Sequence, residues 1–281
     1  MTWFTGIAAR YRETSSLQRG AADRLFELLD LRRGEAVLDL GCGTGHITAE
    51  IRALTGGVTV GADPSPQMIA EARRGAAGDG PAGGAGAPAV PGAASLEFVV
   101  AAAEELDMPG RFDAIFCNSA LQWFHDPPRA LANCRAALRP GGRMAAQAPA
   151  TAAYCPNFVA AVARLGEDRR TRDTWARFRS PWFKRETAAE YAAAFAGAGF
   201  GVRSCVLERQ EVVRPPAVVM EMFESGAAQA YLNPACYEGG WEPGYAEAAS
   251  ELVAGAFAEQ AGEDGEVRLT LTRLYALVTR D

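Results

Sequence analysis

The chain has 281 residues, of which 49% are hydrophobic and 22% charged, and its formal net charge is −6. This length and composition predict an α/β chain, either one large domain or a domain with a small cap. The negative charge argues against non-specific binding to nucleic acid or to an anionic membrane. No apolar run approaches about 18 residues, and residues 1–13 lack the apolar core of a signal peptide, so we expect a soluble, cytoplasmic protein.

The cysteines and histidines argue against a metal site. Six cysteines are scattered along the chain without a C-x-x-C pair, and the only histidines are His46 and His125. A zinc site needs several such ligands at close spacing. We therefore expect a metal-free protein with reduced cysteines, many of them buried.

The first predicted element is a helix from about Leu17 to Leu29. Ser15 or Ser16 can cap its N-terminus. Residues at helical spacing form its apolar face: Leu17, Ala21, Leu25 and Leu28.

The stretch from Val37 to Thr48, VLDLGCGTGHIT, predicts a strand, a tight turn and a helix. The short apolar strand carries one acid, Asp39, and is followed by glycines at alternate positions and a helix from about His46. Glycine permits a positive φ and lets the backbone approach a ligand, while the helix start directs unpaired N–H groups at it. The spacing G-x-G-x-G differs from the G-x-G-x-x-G of dinucleotide-binding turns, so the turn alone leaves the ligand open.

A second strand, from Val58 to Asp63, ends in an acid. A carboxylate at this place, 18 residues after Gly45, can accept hydrogen bonds from both hydroxyl groups of a ribose. A helix from about Pro66 to Arg74 follows. Residues 75–95 are nearly all Gly, Ala and Pro, so we expect a flexible surface loop there.

The rest of the chain continues the alternation of strands and helices. Further strands are predicted at 96–101, 112–119, 143–149, about 200–210 and about 266–280, with a helix at about 128–138 that ends at an Arg-Pro-Gly-Gly turn. This alternation predicts an α/β fold with a doubly wound sheet. Ligands bind at the carboxyl ends of parallel strands, so residues 118–125 should face the ligand.

Together these motifs resemble the class I S-adenosylmethionine-dependent methyltransferases over about residues 30–149. The lead-in AARYRETSSLQRGAADRLFELL and the triplet Leu121–Trp123 resemble two families among them: the malonyl-thioester O-methyltransferases of biotin synthesis (the BioC family) and the trans-aconitate methyltransferases. The resemblance implies S-adenosyl-L-methionine as cofactor and a Rossmann-like sheet of seven mostly parallel strands, whose last strand enters antiparallel between its neighbours. A non-methylating nucleotide-binding domain is the alternative.

The resemblance also implies which residues bind the cofactor. Pro64 and Met68 would cover the adenine, although Met68 also fits ordinary core packing. Where the family usually has an Asp that binds the adenine amino group, this chain has Ala102, so the backbone of Ala103 with Glu104 would have to serve. The candidate cofactor-binding residues are Gln18, Asp39, Gly41, Cys42, Gly43, Gly45, Asp63, Pro64, Met68, Ala103, Glu104 and Asn118.

Three residues are candidates for the catalytic side of the site. In the resembling families the N-terminal segment, here residues 1–30, folds over the cofactor as a lid, which makes Tyr11 a candidate to line the site unless it simply packs. Trp123 would form a wall of the acceptor site. His125 is the only side chain after the fourth strand with an unperturbed pKa near neutrality, so it is the only ready general base, unless it packs beside Pro127.

Two insertions, at 151–186 and 214–262, are predicted to form a helical cap over the carboxyl edge of the sheet. Within the first, residues 169–185 hold seven basic residues and one acid, interleaved with four aromatic residues. Such a segment fits an anionic substrate or an acidic partner, or else a solvated helix face. If the chain is BioC-like, the partner would be an acyl carrier protein.

The predicted reaction is methyl transfer to a small-molecule carboxylate. Such an acceptor is ionised at pH 7 and needs no base, and its attack on a sulfonium cancels two charges, which a water-poor pocket favours. Aromatic and basic side chains are plentiful in this sequence, and dedicated bases are scarce. The alternatives are another small-molecule oxygen, nitrogen, sulfur or carbon acceptor, and a non-catalytic module that binds the cofactor.

Overall fold

The computed structural model describes residues 16–78 and 95–281, with the backbone alone for residues 16–20. The strands in this part of the chain are β1 Val37–Leu40, β2 Thr59–Asp63, β3 Leu96–Val100, β4 Phe112–Asn118, β5 Leu138–Pro149, β6 Gly201–Arg214 and β7 Val267–Thr279. The α-helices are α1 Ser16–Leu29, α2 His46–Thr55, α3 Pro66–Gly78, α4 Pro127–Ala137, α5 Pro156–Ala163, α6 Arg172–Trp175, α7 Ala188–Gly197, α8 Pro216–Ser225, α9 Ala228–Tyr231 and α10 Tyr245–Glu259. Short 3-10 turns lie at Ala103–Glu105, Leu121–Trp123, Arg164–Gly166 and Pro234–Cys236.

The seven strands form one sheet in the order β3-β2-β1-β4-β5-β7-β6. Strand β1 pairs in parallel with both β2 and β4, β2 pairs with β3, and β4 pairs with β5. Strand β7 lies between β5 and β6 and runs antiparallel to β5, since Gly141 N donates to Arg280 O and Ala150 N donates to Thr272 O. The predicted doubly wound sheet, with its last strand between its neighbours, is confirmed. The strand order reverses at β1, so the β1 and β4 carboxyl ends flank the crevice where such sheets bind ligands.

Helix α1 is part of the hydrophobic core. Its Leu25 and Leu29 are fully buried and lie in one cluster with Val37 of β1, Ile51 of α2 and Phe116 of β4. Burial of this kind stabilises the fold by about 1.5–3 kcal/mol for each large side chain.

Leu25 and Leu29 hold the described part of α1 in the core, and the lid role of residues 1–30 stays a prediction. The carboxyl end of the helix is held as well. Asp30 takes a positive φ of 45°, and the guanidinium of Arg143 donates to the carbonyls of Leu29 and Asp30 and pairs with Glu35. Residues 1–15 lie outside the described residues.

Two element boundaries differ from the predictions. Helix α3 continues to Gly78 rather than ending near Arg74, because Ala76 and Ala77 are strong helix formers. Strand β5 begins at Leu138, and the predicted Arg-Pro-Gly-Gly turn is an irregularity within it: Phe112 of β4 faces Leu138, whereas Ala114 faces Arg143. Most of the flexible loop predicted at 75–95 lies outside the described residues.

The chain divides into two compact units, one formed by residues 1–148, 185–207 and 274–281, the other by residues 149–184 and 208–273. The second unit has an aromatic core of its own. The ring of Phe158 lies 5.5 Å from the rings of both Phe223 and Phe257, and Phe178 lies 5.2 Å from both Trp175 and Tyr231.

The basic segment 169–185 carries less free positive charge than its composition suggests. Several of its arginines pair with acids within the second unit, and Phe183 is buried. The pairs are Arg170 with Asp168 and Glu251, Arg172 with Asp173, Arg177 with Glu242, and Arg179 with Glu238. These ion pairs support the solvated-face alternative for the paired arginines. The ring contacts of Trp175 and Phe178 give these two aromatic residues a packing role.

All six cysteines are free, and four of them are buried. Among the described residues, no helix is both long enough and apolar enough to cross a membrane. The same residues contain no group of three or more His, Cys, Asp or Glu side chains arranged to hold a metal ion.

The core role of α1 predicts a large effect of one substitution. We expect Leu25→Ala to lower the free energy of unfolding by about 2–5 kcal/mol, because it leaves a cavity between the helix and the sheet. Urea denaturation measures this change. The matched control is Asp23→Ala, at an exposed position on the same helix, which should change stability by less than about 0.5 kcal/mol. Equal, small effects of the two substitutions would contradict the core assignment.

Candidate active site

The three glycines after β1 all take positive φ, as the sequence predicts, but they serve different purposes. A Cβ on Gly41 (φ 77°) would stand 2.3 Å from the Cβ of Ala120, and one on Gly45 (φ 80°) would stand 2.7 Å from the ring of Phe98. A Cβ on Gly43 (φ 54°) would meet no atom of the described residues within 4 Å. Gly41 and Gly45 therefore allow close packing within the protein, whereas Gly43 faces open space at the carboxyl end of β1.

Asp63, at the end of β2, is tied to this turn. Its Oδ2 accepts a hydrogen bond from Gly43 N at 3.0 Å, and its Oδ1 accepts one from Ser65 N at 2.9 Å. Each carboxylate oxygen keeps a further lone pair, so the side chain can still accept two hydroxyl donors. Burial raises the pKa of Asp63, although these two backbone bonds oppose the rise.

Asp39 of β1 is a buried acid, with 3% of its surface exposed. Its Oδ2 accepts a hydrogen bond from Thr48 Oγ1 at 2.6 Å, which joins the strand to α2. Burial raises the pKa of Asp39 to about 7, the charge of Asp63 adds to the rise, and the bond from Thr48 opposes it. A buried carboxyl at Asp39 and a half-buried one at Asp63 favour a cationic ligand.

The two other residues of the turn differ in their surroundings. The side chain of Cys42 packs in a core cluster with Ile69, Ala72 and Phe98, so a ligand can reach only its backbone. Burial raises the pKa of its thiol. The hydroxyl oxygen of Thr44 is buried and has no hydrogen-bond partner among the described residues.

On the β2 side of the turn, Pro64 is exposed and Met68 is half-buried. The core position in this helix belongs to Ile69, which is fully buried. This arrangement leaves Pro64 and Met68 available as the predicted cover for an adenine ring.

The turn after β3 is bonded to the loop after β4 through Glu104. Its Oε1 accepts hydrogen bonds from the backbone N–H groups of His125 (2.7 Å) and Asp126 (3.1 Å). The Asn133 amide donates to the carbonyls of Ala103 and Glu104 at 3.1 and 2.8 Å. The Glu104 carboxylate therefore holds the loop after β4, and the adenine contact of Ala103 with Glu104 stays a prediction.

The loop after β4 holds a polar network that the sequence analysis did not find. Ser119 takes a positive φ of 55°, which costs a non-glycine residue roughly 1–2 kcal/mol. Ser119 N and Oγ donate to the backbone and side-chain oxygens of Gln147, each at 2.9 Å, and Gln122 Nε2 donates to Ser119 O at 2.8 Å. Asn118 lies opposite Gln147 in the β4–β5 register. A buried glutamine within the apolar strand β5 was the available sequence signal.

The three predicted catalytic residues differ in their exposure and in how far the structure describes them. Trp123 is half-buried in the 3-10 turn after β4. His125 is exposed, and its backbone is fixed by Glu104. Tyr11 lies outside the described residues, and for Gln18, a predicted cofactor residue, the description is limited to its place in α1.

Comparison with known proteins identifies the family. A family model described as a methyltransferase domain matches residues 11–204, more than half of the chain. The chain belongs to this methyltransferase family. It is a class I S-adenosylmethionine-dependent methyltransferase, as the sequence motifs predict.

Curated relatives match about half of the chain. It is 36% identical over 151 residues to the trans-aconitate 2-methyltransferase of Deinococcus radiodurans, covering 53% of this chain and 50% of that protein. It is 35% identical to the malonyl-[acyl-carrier protein] O-methyltransferase of Enterobacter lignolyticus, covering 50% of each. The ubiquinone/menaquinone biosynthesis C-methyltransferase UbiE of Vibrio campbellii is 32% identical, covering 50% of this chain and 53% of that protein. The chain thus spans about half the length of these relatives.

Solved structures share the fold at low identity. The YcgJ protein of Bacillus subtilis has a TM-score of 0.59 and 15% identity, covering 93% of this chain and 98% of that one. A phosphoethanolamine N-methyltransferase of Haemonchus contortus, solved with S-adenosylhomocysteine, has a TM-score of 0.53 and 15% identity, covering 92% of this chain and 52% of that one.

The cofactor of this methyltransferase is S-adenosylmethionine. The residues at the β1–β2 edge fit it. Open space at Gly43 admits a ligand against the backbone, and the unpartnered Thr44 hydroxyl is available for a hydrogen bond. The buried Asp39 and the half-buried Asp63 suit a sulfonium cation.

The different surroundings of Gly41 and Gly43 predict that an alanine substitution mainly lowers stability at the first position and mainly weakens cofactor binding at the second. Gly41→Ala should lower the free energy of unfolding by about 2 kcal/mol or more, because its Cβ would overlap Ala120. Gly43→Ala should cost only about 1 kcal/mol in stability but weaken cofactor binding by roughly 10- to 100-fold. Urea unfolding and calorimetry with S-adenosylhomocysteine measure the two effects. Similar stability losses in both variants, with binding retained at position 43, would contradict this assignment.

The raised pKa of Asp39 predicts a pH dependence of stability. Between about pH 4 and pH 7 the unfolded chain releases the Asp39 proton while the folded chain keeps it, so this group lowers the free energy of unfolding as the pH rises. Asp39→Asn does not titrate and still offers an oxygen to Thr48. We expect the variant to gain about 2–4 kcal/mol over the wild type on going from pH 4.5 to pH 8. Urea unfolding at both pH values measures the gain; parallel changes in the two proteins would refute the buried, titrating carboxyl.

Proposed function

We propose that this methyltransferase acts on a small-molecule carboxylate and forms a methyl ester. Two relatives support this proposal by name: one is a trans-aconitate methyltransferase, the other a malonyl-[acyl-carrier protein] O-methyltransferase. Both named acceptors carry carboxylates. An acceptor linked to an acyl carrier is part of the proposal, and so is the cap role of residues 151–186 and 214–262.

The observation that carries the proposal is the scarcity of bases after β4. Of the described residues 118–126, only His125 and Asp126 have acidic or basic side chains. Asp126 accepts a hydrogen bond from Arg129 N as the cap of α4, and the His125 side chain is exposed. A carboxylate is already ionised at neutral pH and needs no base. A site with few bases therefore suits a carboxylate better than it suits a phenol or an amine, whose proton must be removed.

The residues of the site divide the remaining work. When bound, the cofactor supplies an electrophilic methyl group whose bonding electron pair stays on sulfur, so that the products are the methyl ester and S-adenosylhomocysteine. Asp63 accepts the ribose hydroxyl hydrogens, and Gly43 leaves room for the ligand against the turn. Trp123 forms an apolar wall for the acceptor, and with Tyr11 it excludes water.

The proposal predicts base-labile methylation. The purified chain, incubated with methyl-labelled cofactor, should transfer label to trans-aconitate, to a malonyl thioester or to a related carboxylate. The label should be released as methanol by mild alkali, because it sits on an ester. Alkali-stable label confined to phenols, amines or carbon acids would overturn the proposal. Heat-denatured protein is the control for non-enzymatic transfer.

A second acceptor class is favoured by the relative named as a C-methyltransferase. A carbon acid needs a base to remove its proton, and a positioned base contributes typically 10²–10⁴-fold to the rate. The kcat of the His125→Gln variant, compared with that of the wild type, separates the two functions. A loss of kcat of about 100-fold or more would favour base-dependent transfer, whereas a change below about 10-fold fits a carboxylate.

A further inference from the structure

Gln122 combines deep burial with an unsatisfied polar atom. The residue is 5% exposed and lies in the turn after β4. Its Nε2 donates to Ser119 O at 2.8 Å, which fixes the orientation of the amide, since the reverse orientation would bring two acceptors together. Its Oε1 is buried and has no hydrogen-bond partner within the described residues.

A buried acceptor without a donor is rare and needs an explanation. The neighbouring Gln147 offers a comparison, because its Oε1 accepts a hydrogen bond from Ser119 Oγ at 2.9 Å. The same network thus satisfies the side-chain oxygen of one glutamine and leaves that of the other without a donor. A ligand that brings an N–H or O–H group would complete the network.

The position of Gln122 indicates which end of the cofactor supplies that donor. The carbonyl that its amide holds belongs to Ser119, next to Ala120, which packs against Gly41 of the turn. In the sheet, β2 and β4 lie on opposite sides of β1. With the ribose on Asp63 at the end of β2, the amino-acid end of the cofactor extends toward β4. The donor at that end is the α-ammonium.

We propose that Gln122 Oε1 accepts a hydrogen bond from the α-ammonium of the cofactor and so selects for an intact amino-acid end. This inference rests on the proposed ribose contact of Asp63 and is independent of the acceptor. The buried carboxyl of Asp39, on the strand that pairs with β4, also favours a cation. Gln122 is then a specificity-determining residue, fixed in place by its own bond to Ser119.

Binding measurements without turnover test the proposal. The ligands are S-adenosylhomocysteine, its analogue in which hydrogen replaces the α-amino group, and methylthioadenosine, which lacks the amino-acid end. The wild type should prefer S-adenosylhomocysteine to the deaminated analogue by roughly 10- to 100-fold, as expected for a hydrogen bond to a charged group. Gln122→Met should reduce this preference at least about 10-fold and leave methylthioadenosine affinity within about 3-fold. An unchanged preference in the variant would overturn the proposal.

Two further measurements separate the possible failures. Asp63→Ala should weaken all three ligands to a similar extent; loss confined to S-adenosylhomocysteine would instead refute the ribose contact. If Gln122→Met does not fold, a crystal structure of the wild-type chain with S-adenosylhomocysteine decides. An amino nitrogen within about 3.2 Å of Oε1 supports the proposal. A water molecule alone on Oε1, or an amino group bound elsewhere, overturns it.

Discussion

The close approach of Gly41 to Ala120 is the constraint on which the site depends. Because β1 pairs with β2 on one side and β4 on the other, the loops at their carboxyl ends converge. Only a residue without a side chain fits where those loops touch. The contact between Gly41 and Ala120 sets the path of the turn. The turn then brings Gly43 N within hydrogen-bond distance of Asp63. A single steric requirement therefore places the open backbone at Gly43, the proposed ribose acid Asp63 and the loop after β4 around one crevice.

Electrostatics complement this geometry. Asp39 is held away from water, Asp63 is half-buried, and no cation among the described residues forms a salt bridge with Asp39. Burying a carboxylate without a counter-ion costs free energy, which a bound cation recovers. The buried carboxyl thus lowers the stability of the ligand-free state and attracts a positively charged cofactor, as is common at functional sites.

Sequence patterns predicted those features that are decided locally. The glycine turn follows from backbone freedom, and Asp63 follows from its place at a strand end. Features that depend on distant partners were out of reach. The sequence of α1 shows an apolar face but not the strands against which that face packs. The composition of 169–185 does not show that the acids paired with its arginines come mainly from residues 238–251. Gln122 has meaning only through its contact with Ser119 and the missing donor on its oxygen.

One oxygen atom of Glu104 links two parts of the site. It receives the amides of two consecutive residues that lie more than twenty positions further along the chain, so the turn after β3 and the loop after β4 share a common anchor. Displacement of either segment must break or carry along the same pair of bonds. The proposed nucleoside side and the proposed acceptor side of the crevice are therefore tied together through this one carboxylate oxygen.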